Sequence, residues 1–122
     1  MVELNPVVVC LSRSGQATAF RIAAAIGAPV HGREGRCDRA DAYFPTALEH
    51  VRMLFQAGHP VIGVCAAGIL VRAVAPVLVD KLTEPPVIAV PDDGSVVIPL
   101  LGGHHGANRL AKQIAEVLGG HA

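Results

Sequence analysis

The segment with the most chemical potential is Gly-Gly-His-His-Gly-Ala-Asn at residues 102–108. An apolar run precedes it and a helical apolar repeat follows it, which predicts a strand-to-helix turn. Glycine permits positive φ and close backbone approach, and a helix start leaves free amides with partial positive charge. His104 and His105 titrate near neutral pH. The segment is suited to acid–base chemistry beside an oxyanion; the alternative is an ordinary turn with solvated histidines.

A second polar turn, Ser-Arg-Ser-Gly at residues 12–15, follows the apolar run at residues 7–11. Arg13, Ser14 and Gly15 are expected at the carboxyl end of the first strand, next to a helix start, where an anion can bind. The turn has neither a dinucleotide-binding nor a P-loop pattern. The alternative is a plain turn in which Ser14 caps the following helix.

A third turn, Cys-Ala-Ala-Gly at residues 65–68, joins an apolar run to an apolar helix. Cys65 has the position of an elbow nucleophile but lacks the G-x-S-x-G pattern, so we predict a buried, unreactive thiol. Arg72 is the one charged residue between Cys65 and Asp80. We expect it to meet either a protein carboxylate or an acidic ligand.

Strand and helix patterns alternate along the chain. About five apolar runs predict strands, and helical apolar spacing predicts four helices. An Asp-Asp-Gly turn at residues 92–94 predicts a tight antiparallel hairpin. The predicted fold is a single layered α/β domain over residues 1–122, with a largely parallel sheet, one antiparallel hairpin and helices on both faces. Because such sheets bind ligands beyond the carboxyl ends of their strands, the three turns are expected to share one rim.

Composition narrows the functional classes. Hydrophobic residues make up 52% of the 122 residues and aromatic residues 3%, while 10 basic residues balance 10 acidic ones. The neutral charge and the lack of a basic run argue against nucleic acid, and no apolar run is long enough to span a membrane. Three cysteines without a paired motif and a start without a basic leader predict a cytoplasmic protein with reduced thiols.

The six histidines are scattered apart from the doublet His104-His105. Adjacent residues rarely ligate one metal, and no pair has the spacing of a zinc site. We therefore predict no protein-bound metal.

The second half of the chain resembles a known family. Its characteristic segments are Gly-Ile-Leu-Val-Arg-Ala-Val-Ala-Pro at residues 68–76, Asp-Lys at 80–81, the acidic-glycine turn at 92–94 and Gly-His-His-Gly-Ala-Asn at 103–108. Their order and spacing are similar to those of the N-terminal part of cobalt-precorrin-5A hydrolase, the CbiG family of cobalamin biosynthesis. Ala67 stands where threonine is frequent in the family, so a hydroxyl there is not essential to a shared mechanism.

The resemblance implies a reaction and a set of roles. The family opens the ring-A lactone of cobalt-precorrin-5A and releases acetaldehyde, which gives cobalt-precorrin-5B; the cobalt belongs to the substrate and no other cofactor is implied. The resemblance implies three catalytic candidates, His104, His105 and Asp80. The substrate-binding candidates are Arg13, Ser14, Gly15, Gly68, Arg72, Lys81, Gly102, Gly103, Gly106, Asn108 and Arg109. Asn108 is expected either to cap the last helix or to bind substrate.

Full-length members of the family continue into a middle and a C-terminal domain. The chain is therefore either catalytic or a non-catalytic module that binds the tetrapyrrole or docks to other cobalamin-pathway enzymes. The implied partners are the tetrapyrrole and either a separate C-terminal CbiG-type domain or another pathway enzyme. A third hypothesis, a phosphate- or nucleotide-binding domain that uses residues 12–15, lacks a supporting motif.

Overall fold

The structure is a computed structural model that describes residues 4–120. Its six strands are β1 (Val7–Cys10), β2 (Val30–Arg33), β3 (Ala42–Phe44), β4 (Val61–Val64), β5 (Val87–Val90) and β6 (Ile98–Leu101). Its four α-helices are α1 (Gln16–Ile26), α2 (Ala47–Ala57), α3 (Ala67–Val74) and α4 (Ala107–Leu118). Short 3₁₀ segments cover Arg13–Gly15, Ala75–Val77 and Gly103–His105.

All six strands form one sheet in the order β3-β2-β1-β4-β5-β6. The first five run parallel, and β6 pairs antiparallel with β5, with Val87 opposite Leu101. Chain order reverses between β1 and β4, so the sheet is doubly wound. The predicted fold class is confirmed, with six strands in place of about five.

Two apolar cores cover the two faces of the sheet. Alternate residues of β1 enter different cores: Val8 packs in the core with α1 and α4, and Val9 packs in the core with α2 and α3. This explains why β1, β4 and β5 are buried at every position and have continuous apolar sequences. Across residues 4–120, none of the helices has the length and hydropathy needed to cross a membrane.

The segment before α2 contains a short strand that the sequence pattern does not predict. Tyr43 and Phe44 belong to β3, which pairs with β2, and α2 begins at Ala47. The strand has only three residues, and two of them are exposed, so its apolar signal rests on Phe44 alone.

The connection from β5 to β6 is also longer than the predicted tight hairpin. The turn at Asp92 and Asp93 closes with the amide of Gly94 donating to Pro91 O at 2.9 Å, but β6 begins only at Ile98. The hydroxyl of Thr18 donates to the carbonyl oxygen of Asp92 at 2.6 Å. This bond holds the turn against α1.

Candidate functional site

The three turns predicted to share one rim lie at two opposite ends of the sheet. Residues 12–15 and 65–68 follow β1 and β4, next to the acidic turn after β5, and we call this side the carboxyl end of the sheet. Residues 102–108 follow β6, whose last residue, Leu101, pairs with the first residue of β5. The glycine–histidine turn therefore lies at the amino end of the sheet, and the prediction of one shared rim is wrong for this turn. An antiparallel strand delivers its carboxyl terminus to the opposite side.

Two glycines shape the turn at the amino end. Gly102 and Gly106 have φ values of 84° and 88°, on either side of the 3₁₀ segment that carries both histidines. The carbonyl of Gly102 accepts the amides of His105 at 2.9 Å and Ala107 at 3.2 Å. A Cβ on Gly102 would lie 2.4 Å from the backbone of Pro86, so only glycine fits against that loop.

The two histidines have different surroundings. His105 is half-buried, and its Nε2 is hydrogen-bonded to the carbonyl oxygen of Leu82. A carbonyl oxygen only accepts, so Nε2 carries the proton and the Nδ1 lone pair is available when the ring is neutral. His104 is exposed to solvent.

Asp80 lies in the same loop as Leu82, but its carboxylate is hydrogen-bonded within that loop and not to either histidine. Its Oδ1 accepts the amide of Leu82 at 2.9 Å, and its carbonyl oxygen accepts the amide of Thr83 at 3.0 Å. Leu82 therefore links Asp80 to His105 through its amide and its carbonyl group. Lys81, between them, is exposed.

A cavity of about 980 Å³ opens beside the glycine–histidine turn. His105, Gly106 and Arg109 line it, together with Thr83 and Gln113. Of the predicted residues at this end, Gly106, His105 and Arg109 meet in one space, while His104, Asp80 and Lys81 lie outside its lining.

Asn108 does not cap the last helix. The N-cap of α4 is Gly106, which has no side chain to accept a hydrogen bond, and Asn108 is the exposed second residue of the helix. The cap prediction is therefore wrong. The amides in the first turn of α4 keep no side-chain acceptor in the described structure.

The carboxyl end holds a carboxylate that the sequence analysis missed. The hydroxyls of Ser12, at 3.1 Å, and Ser14 both donate to Oδ2 of Asp92. A Cβ on Gly15 would lie 2.6 Å from Asp92 Oδ1, so this glycine makes room for the carboxylate. The turn predicted to bind an anion binds an anion of its own chain. Ser14 donates its hydroxyl to Asp92 and does not cap α1, whose N-cap is Gly15.

A second cavity, of about 570 Å³, lies at this carboxyl end, between the ends of β1, β4 and β5. Its lining includes Ser12, Cys65, Ile69, Asp92 and Asp93. It lies at the point where strand order reverses, which is where doubly wound sheets usually bind ligands.

The cysteines at the carboxyl end are unsuited to nucleophilic chemistry. Burial, with a smaller contribution from the negative charge of Asp92, raises the pKa of Cys65 to about 12. Burial likewise raises the pKa of Cys10 to about 12, and its Sγ lies 3.5 Å from that of Cys37. The predicted burial of Cys65 is confirmed. A protonated thiol is a poor nucleophile, so we still expect Cys65 to be unreactive.

The remaining predicted residues are on the surface. Arg13 pairs with Asp38 at 2.7 Å, and both side chains are exposed. Gly68 and Gly103 are exposed, with nothing within 4 Å of an added Cβ. Arg72 is exposed on α3, and no carboxylate between residues 4 and 120 lies within 4 Å of it. Because it faces water rather than the core, it does not need the expected partner.

A histidine pair lies away from both cavities. Nδ1 of His31 on β2 is 2.8 Å from Nε2 of His50 on α2, and Phe44 stacks on His50 with ring centroids 4.3 Å apart. Burial lowers the pKa of both rings below the ordinary 6.5. Among residues 4–120, no three His, Cys, Asp or Glu side chains come together to hold a metal ion.

The doubly wound sheet, with helices on both faces and a cavity at each end, defines an open α/β domain. A crystal structure of a cobalamin biosynthesis protein G homologue from Sulfolobus solfataricus has the same fold, with a TM-score of 0.72 and 21% identity; the match covers 96% of this chain and 35% of that one. The family model "Cobalamin synthesis G N-terminal" matches residues 49–122. The chain therefore belongs to this family of cobalamin biosynthesis.

Two sequence relatives carry the name cobalt-precorrin-5A hydrolase. The protein from Priestia megaterium is 41% identical over 69 residues, which cover 56% of this chain and 18% of that protein. The protein from Salmonella typhimurium is 34% identical over 112 residues, which cover 90% of this chain and 32% of that protein. The chain thus spans about a third or less of the length of either relative.

Proposed function

We propose that this chain contributes to the opening of the ring-A lactone of cobalt-precorrin-5A, with release of acetaldehyde to give cobalt-precorrin-5B. Membership of the family and the names of the two relatives support the substrate and the reaction. The observation that carries a catalytic role is His105, which lines the cavity at the amino end with its Nδ1 available beside Arg109.

The first step is hydrolysis of an ester. His105 accepts a proton from water through Nδ1, and the resulting hydroxide adds to the lactone carbonyl. The amides of His105 and Ala107 already donate to Gly102. The other amides between Gly103 and Gly106, with those that follow Ala107 at the start of α4, stabilise the oxyanion. The ring oxygen then leaves as an alcohol after it takes up a proton.

The second step breaks a carbon–carbon bond. A base removes the proton of the new alcohol, the bond to the macrocycle breaks, and acetaldehyde leaves. The electron pair stays with the macrocycle, which takes up a proton, so the whole reaction consumes one water. Arg109 and Lys81 pair with substrate carboxylates and hold this end of the macrocycle. The cobalt enters with the substrate, and no further cofactor is needed.

A second candidate function is a tetrapyrrole-binding or docking module without chemistry of its own. The placement of His104 and Asp80 favours it, because His104 is exposed and the Asp80 carboxylate bonds within its own loop. In that case a separate C-terminal CbiG-type domain or another cobalamin-pathway enzyme completes the reaction.

The test is an anaerobic incubation of the chain with cobalt-precorrin-5A, in which the mass of the pigment is followed over time. A catalytic chain adds water and releases acetaldehyde, and His105→Ala abolishes turnover. His104→Ala is the matched control and retains it. Unchanged turnover by His105→Ala would remove this residue from the mechanism. Binding without any mass change would support the module.

A further inference from the structure

The loop beside the proposed site exposes apolar side chains to an unusual degree. Leu78, Val79 and Leu82 are 43%, 93% and 56% exposed. Val79 is the most exposed large hydrophobic residue between residues 4 and 120. Several large apolar side chains exposed within one short loop often mark a binding site. We call these three residues the apolar platform.

Hydrogen bonds on the inner side of the loop fix the platform. The buried carboxylate of Glu84 accepts the amide of Val79 at 3.3 Å. Asp80 accepts the amide of Leu82 at 2.9 Å, and the carbonyl oxygen of Leu82 accepts a hydrogen bond from His105. These bonds use main-chain groups of Val79 and Leu82, so they hold the backbone while both side chains face water.

Two cations lie beside the platform, while the carboxylates of Asp80 and Glu84 in the same loop accept backbone amides. Lys81 lies within the loop, and Arg109 lines the adjoining cavity with Thr83. The one ion pair in the described part of the chain is Arg13–Asp38, so neither cation has a carboxylate within 4 Å. An occupant with an apolar face and peripheral carboxylates would complement both the platform and these charges.

We propose that the apolar platform receives a face of the tetrapyrrole macrocycle while Lys81 and Arg109 pair with its peripheral carboxylates. This rests on the proposed function and extends its site from the cavity of His105 across residues 78–82. The contact between Leu82 and His105 joins the two surfaces. Two cations are too few for a site on an anionic membrane, which clusters of four to eight basic residues typically form.

The test is a titration of the chain with cobalt-precorrin-5A under argon, followed by the absorption of the pigment. Val79→Asp and Leu82→Asp should each raise Kd about tenfold, because they remove apolar contact and add repulsion of substrate carboxylates. Met53→Asp is the matched control: Met53 is 53% exposed on α2, outside the platform, and its replacement should leave Kd unchanged. All three sites are on the surface, so melting temperatures should stay close to that of the wild type.

The outcomes separate the platform from the chemistry. Equal Kd values for Val79→Asp, Leu82→Asp and Met53→Asp would overturn the platform, even if the chain turns over substrate. A platform variant that loses self-association or a protein partner while Kd stays the same would overturn it as well. Weakened binding without turnover in the wild type would keep the platform and overturn only the catalytic role. No binding by the wild type would overturn both the platform and the module.

Discussion

The two ends of the sheet are built from the same local pattern and have opposite chemistry. At the carboxyl end, Asp92 receives the hydroxyls of Ser12 and Ser14, and Asp92 and Asp93 give the cavity negative character. At the amino end, His105 and Arg109 line a larger cavity. A polycarboxylate is repelled by the first and attracted by the second.

The difference shows that strand direction decides what a strand–turn–helix segment can do. In a doubly wound sheet, the carboxyl ends of parallel strands share one crevice, which is the usual ligand site. Here that crevice already contains a carboxylate from the chain itself. The antiparallel β6 brings a glycine turn to the other side of the sheet, where His105 is hydrogen-bonded to the loop between α3 and β5.

The largest expected effect on stability comes from replacing Gly102, which packs the amino-end turn against the backbone of Pro86. Gly102→Ala should lower the free energy of unfolding by about 2–5 kcal/mol, because its Cβ would meet the Pro86 backbone at 2.4 Å and its φ is 84°. Gly106→Ala has the same kind of φ but no neighbour within 4 Å, and should cost about 1–2 kcal/mol. Denaturant unfolding measures both; equal costs would show that the loop yields to the new methyl group.

The corresponding glycine at the carboxyl end should matter less. Gly15→Ala should cost about 1–3 kcal/mol, because its Cβ would press on the side chains of Asp92 and Val64 rather than on backbone. Gly68→Ala, in open space on α3, should leave stability the same or raise it by up to about 1 kcal/mol. Thermal unfolding is the readout, and a neutral Gly15→Ala would mean that Asp92 is loosely held.

Because the two cavities carry opposite charge, we predict that neutralising a charged residue has opposite effects on ligand affinity at the two ends. Arg109→Gln should weaken binding of cobalt-precorrin-5A roughly fivefold. Asp92→Asn should leave binding unchanged or strengthen it slightly, since it removes negative charge. Pigment titration at two salt concentrations checks both, with circular dichroism to confirm folding. A loss of affinity confined to Asp92→Asn would place the ligand at the carboxyl end.

Thiol labelling reports on the carboxyl end alone. With a pKa of about 12, Cys65 should be alkylated far more slowly than a free cysteine at pH 8 in the native protein. Asp92→Asn should lower this pKa and speed labelling modestly, because the negative charge of Asp92 contributes to the shift. Mass spectrometry of the labelled peptides gives the rates. Rapid labelling of the wild type would mean that the cavity at this end opens in solution.

The smallest expected effect is a pH dependence of stability from the pair His31 and His50, which lines neither cavity. Burial lowers the pKa of His31 and His50 in the folded chain, so the unfolded chain binds more protons below pH 6.5. Stability should therefore fall as pH drops through and below 6.5, and His50→Gln should flatten this fall. Denaturant midpoints between pH 5 and 8 measure it. An unchanged slope in His50→Gln would assign the dependence to other groups.

Local sequence patterns predict most of the fold. Continuous apolar runs predict β1, β4 and β5, and the glycines at positions 27, 58 and 119 end three helices, each with positive φ. The three-residue strand β3 is not predicted, because a single buried phenylalanine gives no alternating apolar pattern. The predicted antiparallel hairpin already implies a turn at the opposite end of the sheet, since the rule about carboxyl ends applies to parallel strands.

The site is less visible in sequence because its decisive contacts are distant along the chain. Asp92 lies 78 residues from Ser14. Its own neighbourhood predicts only a turn, so nothing local indicates that it fills the serine turn. His105 is predicted from its glycine-rich setting, but its carbonyl partner depends on the path of the loop at residues 80–86.

The bond between Asp92 and the serine turn also has a consequence for the order in which the protein matures. Synthesis on the ribosome produces the first strand and its turn long before residue 92 emerges. Until then the hydroxyls of Ser12, Ser14 and Thr18 lack the acceptors that Asp92 provides, and the space beside Gly15 lacks the Asp92 carboxylate. The earliest part of the chain is thus completed by one of the later parts, so a nascent chain that stops short of residue 92 cannot form all the native bonds of its first turn.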